Sequence, residues 1–136
     1  MSDKKNKVMV FGTFDIFHKG HESFLRQAKK QGSFLVVSVG RDKVVEKVKG
    51  KLPRNNEKKR RDKIKESGLA DRVILGGLKN MYAQIRKERP DIICLGYDQL
   101  SFVDRLPQKL LEFGMKNVKI IKLRPYRSDI YKSSKL

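Results

Sequence analysis

Gly12-Thr13-Phe14-Asp15-Ile16-Phe17-His18-Lys19-Gly20-His21 follows the apolar run Val8-Met9-Val10-Phe11. It precedes Glu22-Ser23-Phe24-Leu25-Arg26-Gln27-Ala28-Lys29-Lys30, whose apolar residues have helical spacing. The stretch therefore reads as a strand-to-helix junction, and it carries both histidines of the chain. A helix N-terminus offers unpaired backbone N–H groups at the positive end of the helix dipole, which suits an anion. Gly20 allows a ligand close to the backbone, and imidazoles three positions apart across the first turn can face one phosphate. The junction points to a nucleotide-phosphate site.

Outward from this junction, strand and helix alternate to the end of the sequence. The apolar patterning predicts strands over 7–12, 34–39, 72–75, 91–95 and 118–123. Helices are expected over 20–31, closed by Gly32, and over 42–48. Three more are expected over 57–67, capped by Asn56 and ended by Gly68, over 81–88, capped by Asn80 and stopped by Pro90, and over 104–112. Phe34-Leu35-Val36-Val37-Ser38-Val39 is almost continuously apolar, as in a strand buried on both faces of a parallel sheet. Crossover helices between such strands imply an α/β fold, a single Rossmann-like domain over 1–136. Its expected form is a five-stranded parallel sheet with helices on both faces. Ligands of such sheets lie at the carboxyl ends of the strands. Gly12-Thr13, Gly96-Tyr97-Asp98-Gln99 and the chain from Arg124 onward all fall there.

The composition narrows the function classes. In 136 residues, 38% are hydrophobic and 35% charged, enough for one core but not two. No apolar stretch approaches the roughly 20 residues of a membrane span, and Met1–Lys7 has no apolar signal core behind it. With one cysteine there is no internal disulfide; Cys94, inside Ile92-Ile93-Cys94-Leu95, reads as a small buried hydrophobe. A cytoplasmic location is expected. The formal charge is +18, with much of the excess between Arg41 and Lys65. Nucleic acid, polyphosphate substrates and plain solvated helix faces all fit such a charge. No stacking residue interleaves Lys58-Lys59-Arg60-Arg61, so nucleic acid is expected to bind only non-specifically, through net charge.

His18-x-Gly20-His21, preceded by Gly12-Thr13-Phe14-Asp15, resembles the H-x-G-H signature of the cytidylyltransferase-like nucleotidyltransferases, and the resemblance spans essentially the whole chain. It implies attack of a phosphomonoester oxygen on the α-phosphorus of a nucleoside triphosphate, with release of pyrophosphate. On that resemblance His18 and His21 donate hydrogen bonds to the phosphates, and Gly12, Thr13, Phe14 and Gly20 lie near the triphosphate. Asp15 either approaches Mg²⁺ or another divalent cation or acts as a turn carboxylate bonded to nearby backbone N–H groups. Lys49-Gly50-Lys51 looks like the family's lysine-bearing segment over the triphosphate, with Lys47 as a further candidate. Glu57-Lys58-Lys59-Arg60 matches an E-x-x-R pattern that makes Arg60 a phosphate-binding arginine, with Arg61 facing solvent. Gly96, Tyr97 and Asp98 lie where the family reads the base. Arg127, Ser133 and Ser134 match its C-terminal phosphate-binding motif, although Ile130 stands where that motif has glycine. The family is commonly dimeric, so a homodimer is expected.

Within the family, Gly40-Arg41-Asp42, Leu75-Gly76-Gly77-Leu78-Lys79-Asn80 and Leu95-Gly96-Tyr97-Asp98-Gln99 resemble the archaeal-type FAD synthases. The implied reaction is adenylyl transfer from ATP to FMN. The alternatives are cytidylyl transfer from CTP to glycerol 3-phosphate or a related polyol or sugar phosphate and, in another class, a basic nucleic-acid-binding module on the same fold.

Overall fold

The computed structural model describes residues 6–77, 82–96 and 105–124. The elements run β1 (Lys7–Gly12), α1 (Lys19–Lys30), β2 (Phe34–Val39), α2 (Asp42–Lys49) and α3 (Glu57–Ser67). They continue with β3 (Arg72–Leu75), α4 (Tyr82–Glu88), β4 (Ile92–Leu95), α5 (Leu106–Glu112) and β5 (Lys119–Lys122). All five strands are parallel, in the order β3-β2-β1-β4-β5.

The alternation of side chains along each strand divides the interior in two. Val8, Val10, Leu35, Val37, Ile92 and Cys94 face Leu25 and Ala28 of α1 and Ile64 of α3. Met9, Phe11, Val36, Ile93 and Leu95 face Ile85 of α4 and Leu106 and Leu110 of α5. Helices thus cover both faces, as the nearly continuous apolar strands require. Cys94 is fully buried in the first layer, where burial pushes its thiol up to about 11. Among the described residues no helix is long and apolar enough to cross a membrane.

Several boundaries differ from the sequence expectation for local reasons. α1 begins at Lys19, because His18 rather than a later residue supplies the N-cap. Gly32 does not close α1 by a left-handed turn. Gln31 ends the helix in right-handed geometry, and a Cβ on Gly32 would lie 2.4 Å from the Asn6 carbonyl oxygen, so this glycine serves close approach to β1. β4 starts at Ile92, while the Asp91 carboxylate accepts the Lys7 N–H at 2.8 Å. α5 starts at Leu106 with Pro107 in its first turn, where a missing N–H costs nothing. The expected Asn80 cap lies outside the described residues.

Candidate functional site

β1 leads to β2 on one side and β4 leads to β5 on the other, so the strand order reverses between β1 and β4. A glycine ends or follows each of the first four strands: Gly12, Gly40, Gly76 and Gly96. Their backbones interlock, with the Gly40 N–H donating to Gly12 O at 2.9 Å and the Gly76 N–H to Val39 O at 2.7 Å. A Cβ on Gly12 would come within 2.6 Å of the Phe14 ring. Phe14 has φ 52, a conformation few bulky residues adopt, and its ring is buried beneath the turn. The turn thus holds Phe14 in a strained backbone conformation with its ring folded inward.

His18 and His21 form a reciprocal cap. His18 Nδ1 accepts the Gly20 N–H at 3.0 Å, and His21 Nδ1 accepts the His18 N–H at 3.3 Å. A backbone N–H can only donate, so both Nδ1 atoms are unprotonated and each neutral ring carries its proton on Nε2. The rings stack, with centroids 3.9 Å apart and planes 19° apart. Phe17 stacks on His21 at 5.8 Å, and Phe14 meets it edge-on at 5.2 Å. Gly20 is required here, since a Cβ would lie 2.8 Å from His18 Cε1. The result is two stacked imidazoles fixed through their Nδ1 atoms at the N-terminus of α1, the end of a helix that favours an anion.

Asp15 is a turn carboxylate. Its two oxygens accept the N–H groups of Arg54 and Asn55 at 2.8 and 2.9 Å, and Asn55 Nδ2 donates back to the Asp15 carbonyl at 2.6 Å. Burial raises its carboxyl pKa, but the Asn55 and Arg54 N–H groups and the charges of Arg60 and Arg54 outweigh that and hold it below the usual value. Among the described residues no group of three His, Cys, Asp or Glu side chains could hold a metal ion.

Arg60 also departs from expectation. Its side chain, 1% exposed, is consumed inside the protein rather than presented to a phosphate. Nε donates to Asn55 O, Nη1 to Thr13 O and Gly40 O, and Nη2 to Asp42 Oδ1, at 2.5 to 2.9 Å. One guanidinium thus ties the turn after β1, the end of β2, the start of α2 and the approach to α3. Its planar fork suits several fixed acceptors at once. Arg61, partly exposed, bonds the neighbouring Asp62 at 3.1 Å.

Lys49 is the last residue of α2, Gly50 turns the chain at φ 83, and Lys51 follows; both lysines are exposed. Their segment returns to the β1–α1 turn through the Asp15 contacts with Arg54 and Asn55. The structure thus brings Gly12, Thr13, Phe14, Asp15, His18, Gly20 and His21 to one turn, with Arg60 beneath it. Gly96 follows β4 on the same edge of the sheet. Tyr97, Asp98, Arg127, Ser133 and Ser134 lie outside the described residues. Sequence reasoning missed Arg41, whose Nε donates to Gly76 O at 2.8 Å, and the pairing of Asp42 with Glu57. The string Gly40-Arg41-Asp42 was the available signal.

Comparison with known proteins agrees with this geometry. The cytidylyltransferase-like family model matches residues 9–135. The FAD synthase of Aciduliprofundum boonei is 43% identical over 120 residues, 88% of this chain and 79% of that protein. The FAD synthase of Thermococcus sibiricus is 40% identical over 135 residues, 98% of this chain and 90% of that one. Among solved structures, the lipopolysaccharide core biosynthesis protein of Thermoplasma volcanium GSS1 superposes with a TM-score of 0.84 at 39% identity, covering 90% of this chain and 99% of that one. The family model and the relatives cover most of the sequence, and this chain belongs to the cytidylyltransferase-like family as a nucleotidyltransferase.

Proposed function

We propose that the chain is an FMN adenylyltransferase, joining ATP and FMN to give FAD and pyrophosphate. The observation that carries this reading is its similarity to FAD synthases at 43% and 40% identity over 79% and 90% of their lengths. An oxygen of the FMN phosphate attacks the α-phosphorus of ATP as the bond to the pyrophosphate oxygen breaks, and pyrophosphate leaves. Such a transfer needs its two anions aligned and the charge growing on the phosphate oxygens stabilised. In this reading the Nε2–H groups of His18 and His21 supply that stabilisation, and Gly12, Thr13, Phe14 and Gly20 give the triphosphate room beside the backbone. Lys49 and Lys51 screen the outer phosphates, Gly96, Tyr97 and Asp98 read the base, and Arg127, Ser133 and Ser134 close on the phosphates. Arg60 acts indirectly, by holding the Thr13 and Gly40 carbonyls in place. Magnesium enters on the triphosphate as part of the substrate, since Mg²⁺ commonly binds through phosphate oxygens and retained waters.

Ile16 and Leu52, each more than half exposed, lie on the two segments that Asp15 joins. They offer apolar surface that an isoalloxazine ring would cover and a glycerol would not. We further propose a cytoplasmic homodimer whose net charge gives nucleic acid only weak, salt-sensitive binding. The test is incubation with ATP, FMN and magnesium under reducing conditions, with FAD resolved by chromatography and pyrophosphate measured in parallel. FAD formation is expected, with CTP used markedly less well. CDP-glycerol from CTP and glycerol 3-phosphate, with no FAD from ATP and FMN, would overturn the assignment and leave nucleotidyl transfer intact.

A further inference from the structure

We infer that Asn55 is a positioning residue for nucleotidyl transfer, one that holds the β1–α1 turn in the form that carries His18 and His21. Asn55 and Asp15, 40 positions apart in sequence, bond each other reciprocally. The Asn55 N–H donates to Asp15 Oδ1 at 2.9 Å, and Asn55 Nδ2 donates to the Asp15 carbonyl at 2.6 Å. The Arg54 N–H takes up the second carboxylate oxygen at 2.8 Å. Asn55 is held in turn, since Arg60 Nε donates to the Asn55 carbonyl at 2.8 Å. Arg60 Nη1 also donates to Thr13 O at 2.9 Å. Asn55 and Arg60, bonded to one another, thus hold the carbonyls of the two residues that flank Phe14.

Phe14 is the point in the turn that needs holding. Its φ of 52 is costly for a bulky residue, and such a conformation persists only where the surroundings fix it. Rotating the peptide before Phe14 would relieve the strain but take Thr13 O off Arg60. Rotating the peptide after Asp15 would take the Asp15 carbonyl off Asn55. Asp15 stands three residues before the N-cap His18, so the course of the turn sets where the histidine pair sits relative to the strand ends. The amide suits this task, because a carboxylate in its place could only accept and the Asp15 carbonyl needs a donor. This inference rests on the proposed action of His18 and His21 on the phosphates.

The test is a double-mutant cycle on the full chain, read as pyrophosphate release from whichever nucleotide and acceptor the wild type uses. Asn55→Ala removes the Nδ2 donor and keeps both backbone bonds at that position, so the segment stays attached. It should lower kcat about tenfold and leave KM for the nucleotide within about twofold, since a small misplacement at a reacting centre is felt mainly in the chemical step. In the His18→Asn, His21→Gln background the same substitution should change kcat less than about twofold, because residues that act through one another do not add. Its loss of stability in urea should be equal in both backgrounds, which separates positioning from bulk stability. Should Asn55→Ala fail to fold, Asn55→Ser, which keeps a donor on a shorter side chain, repeats the cycle. Equal kcat losses in both backgrounds, unchanged kcat in the folded variant, or a loss confined to KM would each overturn the inference. Wild-type turnover in the histidine variant alone would overturn the proposed role of the histidines, and the inference with it. Failure of FAD synthesis would not, because the cycle runs on any nucleotide and acceptor that release pyrophosphate.

Discussion

Asp42 and Glu57 cap each other's helices. The Asp42 N–H at the start of α2 donates to Glu57 Oε1 at 2.8 Å, and the Glu57 N–H at the start of α3 donates to Asp42 Oδ2 at 3.2 Å. Two helix N-termini facing each other would repel, and each carboxylate answers the other helix's unpaired donors. Arg60 on Asp42 and Arg41 on Glu57 then offset the paired negative charge. The two motif residues Glu57 and Arg60 are therefore parts of one bracket beneath the β1–α1 turn.

That bracket predicts unequal neighbours. Arg60→Met leaves the Asp42 carboxylate and the Thr13 and Gly40 carbonyls short of a buried partner, and should cost about 3–5 kcal/mol. Arg61→Met removes an exposed contact and should cost within about 1 kcal/mol. Urea unfolding of the two variants measures the contrast; similar losses would mean that Arg60 is not the tie described.

The histidines combine a cap with a donor, and the two roles are separable. Asparagine is a good N-cap, and glutamine at the third helical position completes a capping box. His18→Asn with His21→Gln should keep the melting temperature close to wild type while removing both Nε2–H donors. Turnover should fall at least 10²–10³-fold, the scale for losing one transition-state donor. Retained turnover in this folded variant would mean that the imidazoles serve only as caps.

The parts of this molecule legible in its sequence were those that depend on neighbours in sequence. Asn56 and Gly68 bound α3 as expected because caps act within one turn. The histidine turn was legible because its strand, glycine and helix are contiguous. Arg60 was singled out by its E-x-x-R pattern, but its role as a tie was not legible, because Thr13, Gly40 and Asp42 converge on it only in the fold. Gln27 reads as an ordinary polar residue on a helix, since its partner, the Arg124 N–H, is 97 positions away. Gly32 was legible as a break, but its reason, contact with the Asn6 carbonyl, is tertiary.

Asp15 gives a pH prediction. Its carboxyl is held below the ordinary value in the folded state, so its contribution is complete above the unfolded pKa, about 4. It is lost as pH falls through the lower folded value, where protonation costs the bonds to Arg54 and Asn55. Asp15→Asn should destabilise the protein at neutral pH, and the gap to wild type should narrow on acidification below about pH 4. Denaturant unfolding across that range measures the gap; a constant difference would assign the loss to something other than the carboxylate's charge.

Lys49 and Lys51 test whether the segment after α2 serves the substrate or the fold. Both are exposed, on either side of a glycine at φ 83, so their charges contribute little to folding. Lys49→Ala with Lys51→Ala should leave the melting temperature almost unchanged and raise KM for the triphosphate. The difference from wild type should shrink as salt is added, because exposed charges are screened over about 8–10 Å at 0.1–0.15 M ionic strength. Gly50→Ala separates the two roles. It keeps both charges but forces a side chain into the left-handed region, at about 1 kcal/mol. If the double lysine variant loses stability while KM holds, the lysines belong to the scaffold. A raised KM at constant stability places them on the substrate side of the turn that Asp15 anchors.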